Sequence, residues 1–323
     1  MKNHRFKHWK IRMTIKKVTL AILTLFISKF SFAQKLETVY LDTQDSTNNM
    51  YIAVVPEGKP IISFMFLLDG FGAAPKDILV QTELAKHTAQ KGILTILPIL
   101  KTGPLYFGVD IASQQSLKQQ IESVIVKYKL QGKDFYIGGF SIGGSCAIKY
   151  AELAIQNNYS NKPKAVFAID PPLDWERFYN AAQRVVRLSD PANINSEVTY
   201  MINRIEKEMN GTPKTALENF HDLSPYSASD ITQKAIKNLV KTPIMLISEP
   251  DIQWWLKERG YDLFYTNILD QVAMINELQK LGNTKAVLVT TINKGYRKPN
   301  NNRHPHSWSI LEPKDLTDWL LKQ

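Results

Sequence analysis

The sequence predicts an α/β protein with a mostly parallel central sheet, helices on both faces, and an inserted helical lid. Three observations lead there. From residue 61 onward, short apolar runs alternate with segments of helical period. Runs such as IISFMFLLDG (61–70) are apolar throughout, as strands covered on both faces are. Residues 174–240 break the alternation, offering helical pieces and no strand-like run.

The elements follow in order. ETVYLDT (37–43) and NMYIAVVPE (49–57) read as strands joined by the polar turn QDSTNN. The buried strand 61–70 comes next, then a helix over 75–92, opened by Pro75 and closed by Gly92. ILTILPIL is a strand, and 110–130 has helical period. KDFYIGG is a strand and SIGGSCAIKYAELAIQN a helix. PKAVFAID (163–170) and TPIMLISEPD (242–251) are strands flanking the insertion, which spans 174–240. A helix over 263–282, a strand over 285–293 and a closing helix over 309–322 complete the chain. The Asn- and Arg-rich segment 293–304 reads as a surface loop.

The formal net charge of +10 invites a nucleic-acid reading, but its location argues otherwise. Residues 1–33 hold eight basic residues and no acidic one, and the remainder has 32 basic against 30 acidic. A near-neutral body offers no polyanion groove. Lys16 and Lys17 precede the apolar run VTLAILTLFI, and Ser31 and Ala33 occupy the small positions of a cleavage site. Residues 1–33 are therefore expected to be a signal peptide cut before Gln34, making the mature domain 34–323 periplasmic or secreted. The run is shorter than the roughly 20 residues of a membrane span, which favours cleavage over the alternative of an uncleaved N-terminal anchor, and no stable membrane insertion is expected after cleavage. Met13 stands as an alternative start. The single cysteine, Cys146, can form no internal disulfide and reads as a packed thiol.

The segment DFYIGGFSIGGSCAIKY (134–150) carries the chemistry. GFSIG at 139–143 fits G-x-S-x-G, with a strand before it and a helix after. Glycines two before and two after Ser141 leave room for strand and helix to approach. A serine on that turn stands at the sheet's carboxyl edge above a helix N-terminus, where the Ile142 N–H can face an oxyanion. Serine needs a base, and the base an orienting acid, in the chain order Ser, acid, His. The body has four histidines, and His304 and His306 lie after the last strand, where the base belongs. Of these His306 is favoured, since Pro305 stiffens its approach, with His304 the alternative. For the acid, TPIMLISEPD offers Asp251 and, second, Glu249; Asp251 could instead cap the following helix. In LLDGFGAAP (67–75), Gly70 and Gly72 let the chain fold near the serine, with Phe71 N–H as second oxyanion donor. Asp69 is expected to point away and tie that loop down.

With these residues in place, the chain resembles serine hydrolases of the α/β-hydrolase superfamily. The resemblance rests on GFSIGG, SEPD, HPHSW and the position of DGFG, and covers most of 37–322. It departs from the pattern at Asp69, where histidine is usual, and in SEPD, which lacks the usual glycine. It implies a Ser141–His306–Asp251 mechanism without metal or organic cofactor, acting through an acyl-enzyme on a small-molecule ester or acyl substrate. Trp175, Tyr226 and Trp254 are candidates for an aromatic substrate pocket, against the alternative that they pack the insertion onto the core. Carboxylic-ester hydrolysis is the first functional expectation. Peptidase or acyltransferase activity on the same triad, or a non-catalytic binding protein on a hydrolase scaffold, are the alternatives.

Overall fold

Eight strands share one sheet in a computed structural model that describes residues 34–42, 44–45 and 47–323. The expected signal peptide lies outside the described residues. The strands are β1 (Lys35–Tyr40), β2 (Met50–Val55), β3 (Ser63–Leu68), β4 (Ile93–Ile99), β5 (Asp134–Phe140), β6 (Ala165–Ile169), β7 (Ile244–Ser248) and β8 (Ala286–Thr290). Their lateral order is β1-β2-β4-β3-β5-β6-β7-β8. β1 and β2 pair antiparallel, as do β2 and β4; from β4 to β8 every pairing is parallel.

The apolar runs are continuous because both sheet faces are covered. Along β3, Phe64, Phe66 and Leu68 enter one core while Met65 and Leu67 enter the other. The first core is closed by α3 (Ile111–Tyr128), α4 (Ile142–Gln156) and α9 (Ile268–Lys280), through Leu117, Ile121, Ala147, Met274 and Leu278. The second is closed by α1 (Pro75–Gln81), α2 (Leu84–Gln90) and α10 (Pro313–Leu320), through Ile78, Leu84, Ala85, Leu316 and Leu320. Among the described residues no helix is long and apolar enough to cross a membrane.

Four helices lie between β6 and β7: α5 (Trp175–Leu188), α6 (Ser196–Glu208), α7 (Leu217–Leu223) and α8 (Lys234–Lys237). They bury their own aromatic core, in which Trp175, Phe178, Tyr179 and Phe220 pack with Phe107, Val109 and Ile142 from the sheet domain. Trp175 stacks on Phe107 with centroids 4.4 Å apart. Arg177 of α5 ion-pairs with Asp270 of α9, whose carboxylate also accepts the Leu173 and Asp174 N–H groups at 3.1 Å.

Local polar chemistry shortens several expected elements. The helix foreseen over 75–92 is two helices, because Thr82 is extended (φ −144°, ψ 147°) and its hydroxyl accepts the Leu84 N–H at 3.2 Å. The helix foreseen from 263 starts at Ile268, after a 3₁₀ turn Leu263–Tyr265 capped by the Asp262 side chain. The loop 293–304 carries a small hairpin, β9 (Tyr296–Arg297) paired with β10 (Asn302–Arg303).

Backbone meets backbone closely at the sheet's carboxyl edge, where α4 starts. A methyl group on Gly143 would lie 2.6 Å from the Leu68 carbonyl oxygen and closer still to that of Asp69. These are backbone atoms and cannot swing aside. Gly143→Ala is therefore expected to lose on the order of 3 kcal/mol of stability or fail to fold. Urea denaturation against the wild type checks this, and a change under about 0.5 kcal/mol, the size of a neutral surface substitution, would contradict it.

Candidate active site

β5 ends at Phe140 and α4 begins at Ile142, so Ser141 must make the whole turn by itself. It does so at φ 52° and ψ −126°, a conformation L-residues rarely adopt. Two sets of hydrogen bonds fix it. Its N–H donates to the Ile169 carbonyl at 2.8 Å, and its carbonyl accepts from Gly144 and Ser145 N–H at 2.9 and 3.2 Å. The Ser145 hydroxyl in turn donates to the Pro172 carbonyl.

His306 stands beside this turn, its ring 4.5 Å from that of Phe140. Its Nδ1 lies 2.6 Å from Asp170 Oδ2. A carboxylate can only accept, so Nδ1 carries the proton and Nε2 is the basic nitrogen. Asp170 directly follows β6. Its Oδ1 accepts from Ser248 Oγ at 2.6 Å and Gln271 Nε2 at 2.9 Å, and Asn267 Nδ2 donates to its carbonyl at 2.9 Å. Burial alone would raise its carboxyl; His306, Ser248 and Gln271 together outweigh burial and hold it below the usual aspartate range.

The structure does not bring the expected acid, Asp251, to His306, whose Nδ1 meets Asp170 instead. Asp251 caps the turn Ile252–Trp254, accepting the Trp254 N–H at 3.0 Å, and ion-pairs with Arg303 at 2.6 Å. Glu249 is buried and also holds Arg303 at 2.6 Å. It accepts further hydrogen bonds from Thr291 Oγ1 and from the Lys294 and Gly295 N–H groups. Both acids thus brace the loop that carries the histidines. His304 is buried between Trp254 and Trp255, at 4.7 and 5.6 Å between centroids. Burial first, then the charges of Arg297, His306 and Arg259, push its pKa down to about 2, so it stays neutral.

Asp170 was legible as a carboxylate closing the strand AVFAID, but its importance depends on lateral order. β6 is the immediate neighbour of β5 on the side away from β3, whereas β7 lies one strand further off. The carboxyl end of β6 therefore reaches the serine's side of the sheet at a strand spacing of about 5 Å, half that of β7.

The loop after β3 lies against the serine. A methyl on Gly70 would sit 3.5 Å from Ser141 Cβ. Neither the Phe71 nor the Ile142 N–H has an acceptor among the described residues, and both residues line the cavity that holds Ser141. Asp69 ties the loop down, as its Oδ1 accepts from Gly70 N–H at 2.8 Å and from the Trp308 indole at 2.9 Å.

The cavity is about 390 Å³ and is shared by Ser141, Asp170 and His306. Phe71, Phe178, Tyr200, Met201, Trp255, Tyr261 and Tyr265 supply most of its apolar wall. Trp175, Tyr226 and Trp254 do not line it. Trp175 is buried under the insertion against Phe107, and Tyr226 lies in the sheet core with its hydroxyl on Glu277 at 2.6 Å. Trp254 packs on His304, and its neighbour Trp255 is the one that lines the cavity. Cys146 is buried beneath the elbow, and burial raises its thiol pKa. Among the described residues no group of three or more His, Cys, Asp or Glu side chains is placed to hold a metal ion.

No family model and no curated protein matches this chain. Solved structures do match. Carboxyl esterase 2 from Tuber melanosporum is 14% identical, with a TM-score of 0.56, over 91% of this chain and 85% of that one. S-formylglutathione hydrolase from Agrobacterium tumefaciens is 12% identical, with a TM-score of 0.53, over 91% and 95%. Acylaminoacyl peptidase from Pyrococcus horikoshii is 16% identical, with a TM-score of 0.57, over 91% of this chain and 41% of that one. The chain thus spans about two fifths of the peptidase. With its mostly parallel eight-stranded sheet and helices on both faces, the chain has the α/β-hydrolase fold.

Asp69 gives the site a measurable pH signature. Burial raises its pKa to about 6, against the pull of Gly70 and Trp308. An unfolded aspartate releases its proton near about 4, so between those values the folded chain binds more protons and stability falls as pH rises. Asp69→Asn keeps the acceptor and removes the titration. The stability difference, variant minus wild type, is expected to grow between about pH 4 and 6 and then level off. Chemical denaturation across that range checks it, and a flat difference would exclude a raised Asp69.

Proposed function

We propose that this chain is an exported serine hydrolase that cleaves a carboxylic ester through an acyl-enzyme, with Ser141, His306 and Asp170 as its triad. One observation carries the reading. A serine held at positive φ on a strand-to-helix turn shares a cavity with a histidine whose Nδ1 is bound to a buried carboxylate. That arrangement makes Nε2 a base and gives the hydroxyl a use.

His306 Nε2 takes the Ser141 proton as Oγ attacks the ester carbonyl. Asp170 holds the imidazole in the required tautomer and stabilises the imidazolium. The tetrahedral oxygen receives hydrogen bonds from the Phe71 and Ile142 N–H groups, with the N-terminus of α4 adding its dipole. The imidazolium passes its proton to the leaving alkoxide, which departs as alcohol. Water then attacks the acyl-enzyme with His306 again as base, releasing the carboxylic acid and restoring Ser141.

The esterase and hydrolase neighbours favour ester hydrolysis over a non-catalytic role. The helical insertion supplies Phe178, Tyr200 and Met201 to the cavity wall and is proposed to serve as its lid. Export rests on the basic and apolar pattern of residues 1–33.

A fluorophosphonate probe is expected to label the 34–323 protein, and Ser141→Ala to lose all labelling. Asp170→Asn should lower kcat on a p-nitrophenyl ester by about 10³–10⁴-fold, the scale of losing an orienting carboxylate. Asp251→Asn should stay within about tenfold of wild type, since it loosens a loop brace only. The opposite ranking would return the acid role to Asp251. Folded wild type that takes no label would favour a binding protein.

A further inference from the structure

The mouth of the cavity carries two arginines that the hydrolytic chemistry does not use. Arg259 ends the π-helical turn Trp255–Arg259, and Arg297 sits on β9; both line the cavity with Ser141 and His306, and both are exposed to solvent. Among the described residues neither forms an ion pair. All but one of the acids that line the cavity or its loops are committed elsewhere. Glu249 and Asp251 hold Arg303, and Asp170 holds His306. Asp69 bonds Gly70 and Trp308. Glu197, exposed on α6, lines the cavity too and acts on Arg297 through its charge, without pairing with it.

What the two guanidiniums do touch is neutral. Arg297 donates through Nε and Nη2 to the His306 carbonyl at 3.2 and 3.1 Å, leaving Nη1 free. Arg259 Nη2 lies 3.4 Å from His304 Nε2. Arginine only donates, so that nitrogen accepts and the His304 proton sits on Nδ1. The two positive charges also repel: partial desolvation where the exposed Arg297 side chain lies along the cavity lowers its pKa first, and the charge of Arg259 lowers it next. Two like charges facing one cavity are relieved by an oxyanion placed between them, and guanidinium matches carboxylate geometry with paired donors.

Resting on the ester-hydrolase reading, we infer that the substrate is an ester carrying a second, carboxylate group, which Arg259 and Arg297 receive at the cavity mouth while the ester carbonyl lies at Ser141. The aromatic wall between mouth and serine holds the apolar spacer. The arginines set specificity; the reacting atoms remain with the triad.

Two matched pairs test this. p-Nitrophenyl hemiglutarate and p-nitrophenyl valerate differ in the acyl end group, and 4-carboxyphenyl and 4-carbamoylphenyl acetate differ on the leaving-group side. In at least one pair the carboxylate member is expected to show kcat/KM about tenfold higher at low salt. That ratio should fall toward one at about 0.5 M NaCl, where exposed charges are screened. It should fall likewise in Arg259→Gln, and further in the Arg259→Gln/Arg297→Gln double variant. The ratio is the readout because Arg297 also braces His306, and a loss common to both esters cancels. Ratios near one in both pairs, or a preference that survives the double variant, would overturn the inference and leave the hydrolase reading intact. If no ester is turned over and Ser141 takes no label, the hydrolase reading fails instead. Equilibrium binding of the same esters to Ser141→Ala, followed by tryptophan fluorescence, then decides the anion site, and equal affinity within a pair would sink it.

Discussion

The site depends on one steric constraint, the approach of α4 to the ends of β3 and β5. Gly139 and Gly143 lie so close that a methyl on Gly139 would sit 2.6 Å from the Gly143 carbonyl carbon and from the Leu68 oxygen. Only that closeness lets a single residue turn the chain from strand to helix, and it forces Ser141 to positive φ. Such a conformation costs about 1–3 kcal/mol and persists where the surroundings over-determine it. Here the Ile169, Gly144 and Ser145 backbone bonds and the buried body of α4 do so. The same approach places the Ile142 N–H and the Gly70–Phe71 loop around one point in space.

A second requirement is to hold a histidine that arrives from the other end of the chain. His306 lies on a loop with little regular structure, so its position must come from charge and packing. Arg303 is gripped by Glu249 and Asp251 and donates to the Gly295 carbonyl at 2.8 Å, while His304 is wedged between two tryptophans. Arg297 takes the His306 carbonyl, and Phe140 packs on its ring. Buried ion pairs add little net stability once desolvation is counted, but they fix geometry. Glu249 and Asp251 are better understood as that kind of device than as partners of the His306 ring.

Much of this was legible in the residues. The glycine spacing around Ser141 marked the elbow because the turn admits little else, and the apolar runs marked doubly covered strands. His306 stood out by its place after the last strand. Asp170 did not, although it ends a strand in plain sight. Choosing between a carboxylate after β6 and one after β7 requires knowing which strand lies beside β5, and a one-dimensional pattern does not contain lateral order. The pocket aromatics failed for a related reason. Trp254 and Trp255 are adjacent in the chain, yet only Trp255 lines the cavity, and that depends on which way each points from the helical turns that meet between them. Trp175 went the other way, into the insertion's own core. The two arginines carry no signal in sequence at all, since their meaning comes from the acids that fail to meet them.

The electrostatics of the cavity have a direction. On the proposed reading its floor, with two N–H groups that lack an acceptor among the described residues and a helix N-terminus, receives negative charge, and two arginines stand at its mouth with Glu197. Asp69, like Glu197, lines this cavity without an ion pair among the described residues. Both of its hydrogen bonds fall on the same oxygen, Oδ1, from the Gly70 N–H and the Trp308 indole. Those donors draw charge toward the loop anchor, while burial keeps the group easy to protonate. A histidine there would add a donor to the site. An aspartate instead fixes the loop through Gly70 and Trp308, and on the proposed reading the backbone N–H groups of Phe71 and Ile142 then supply the donors.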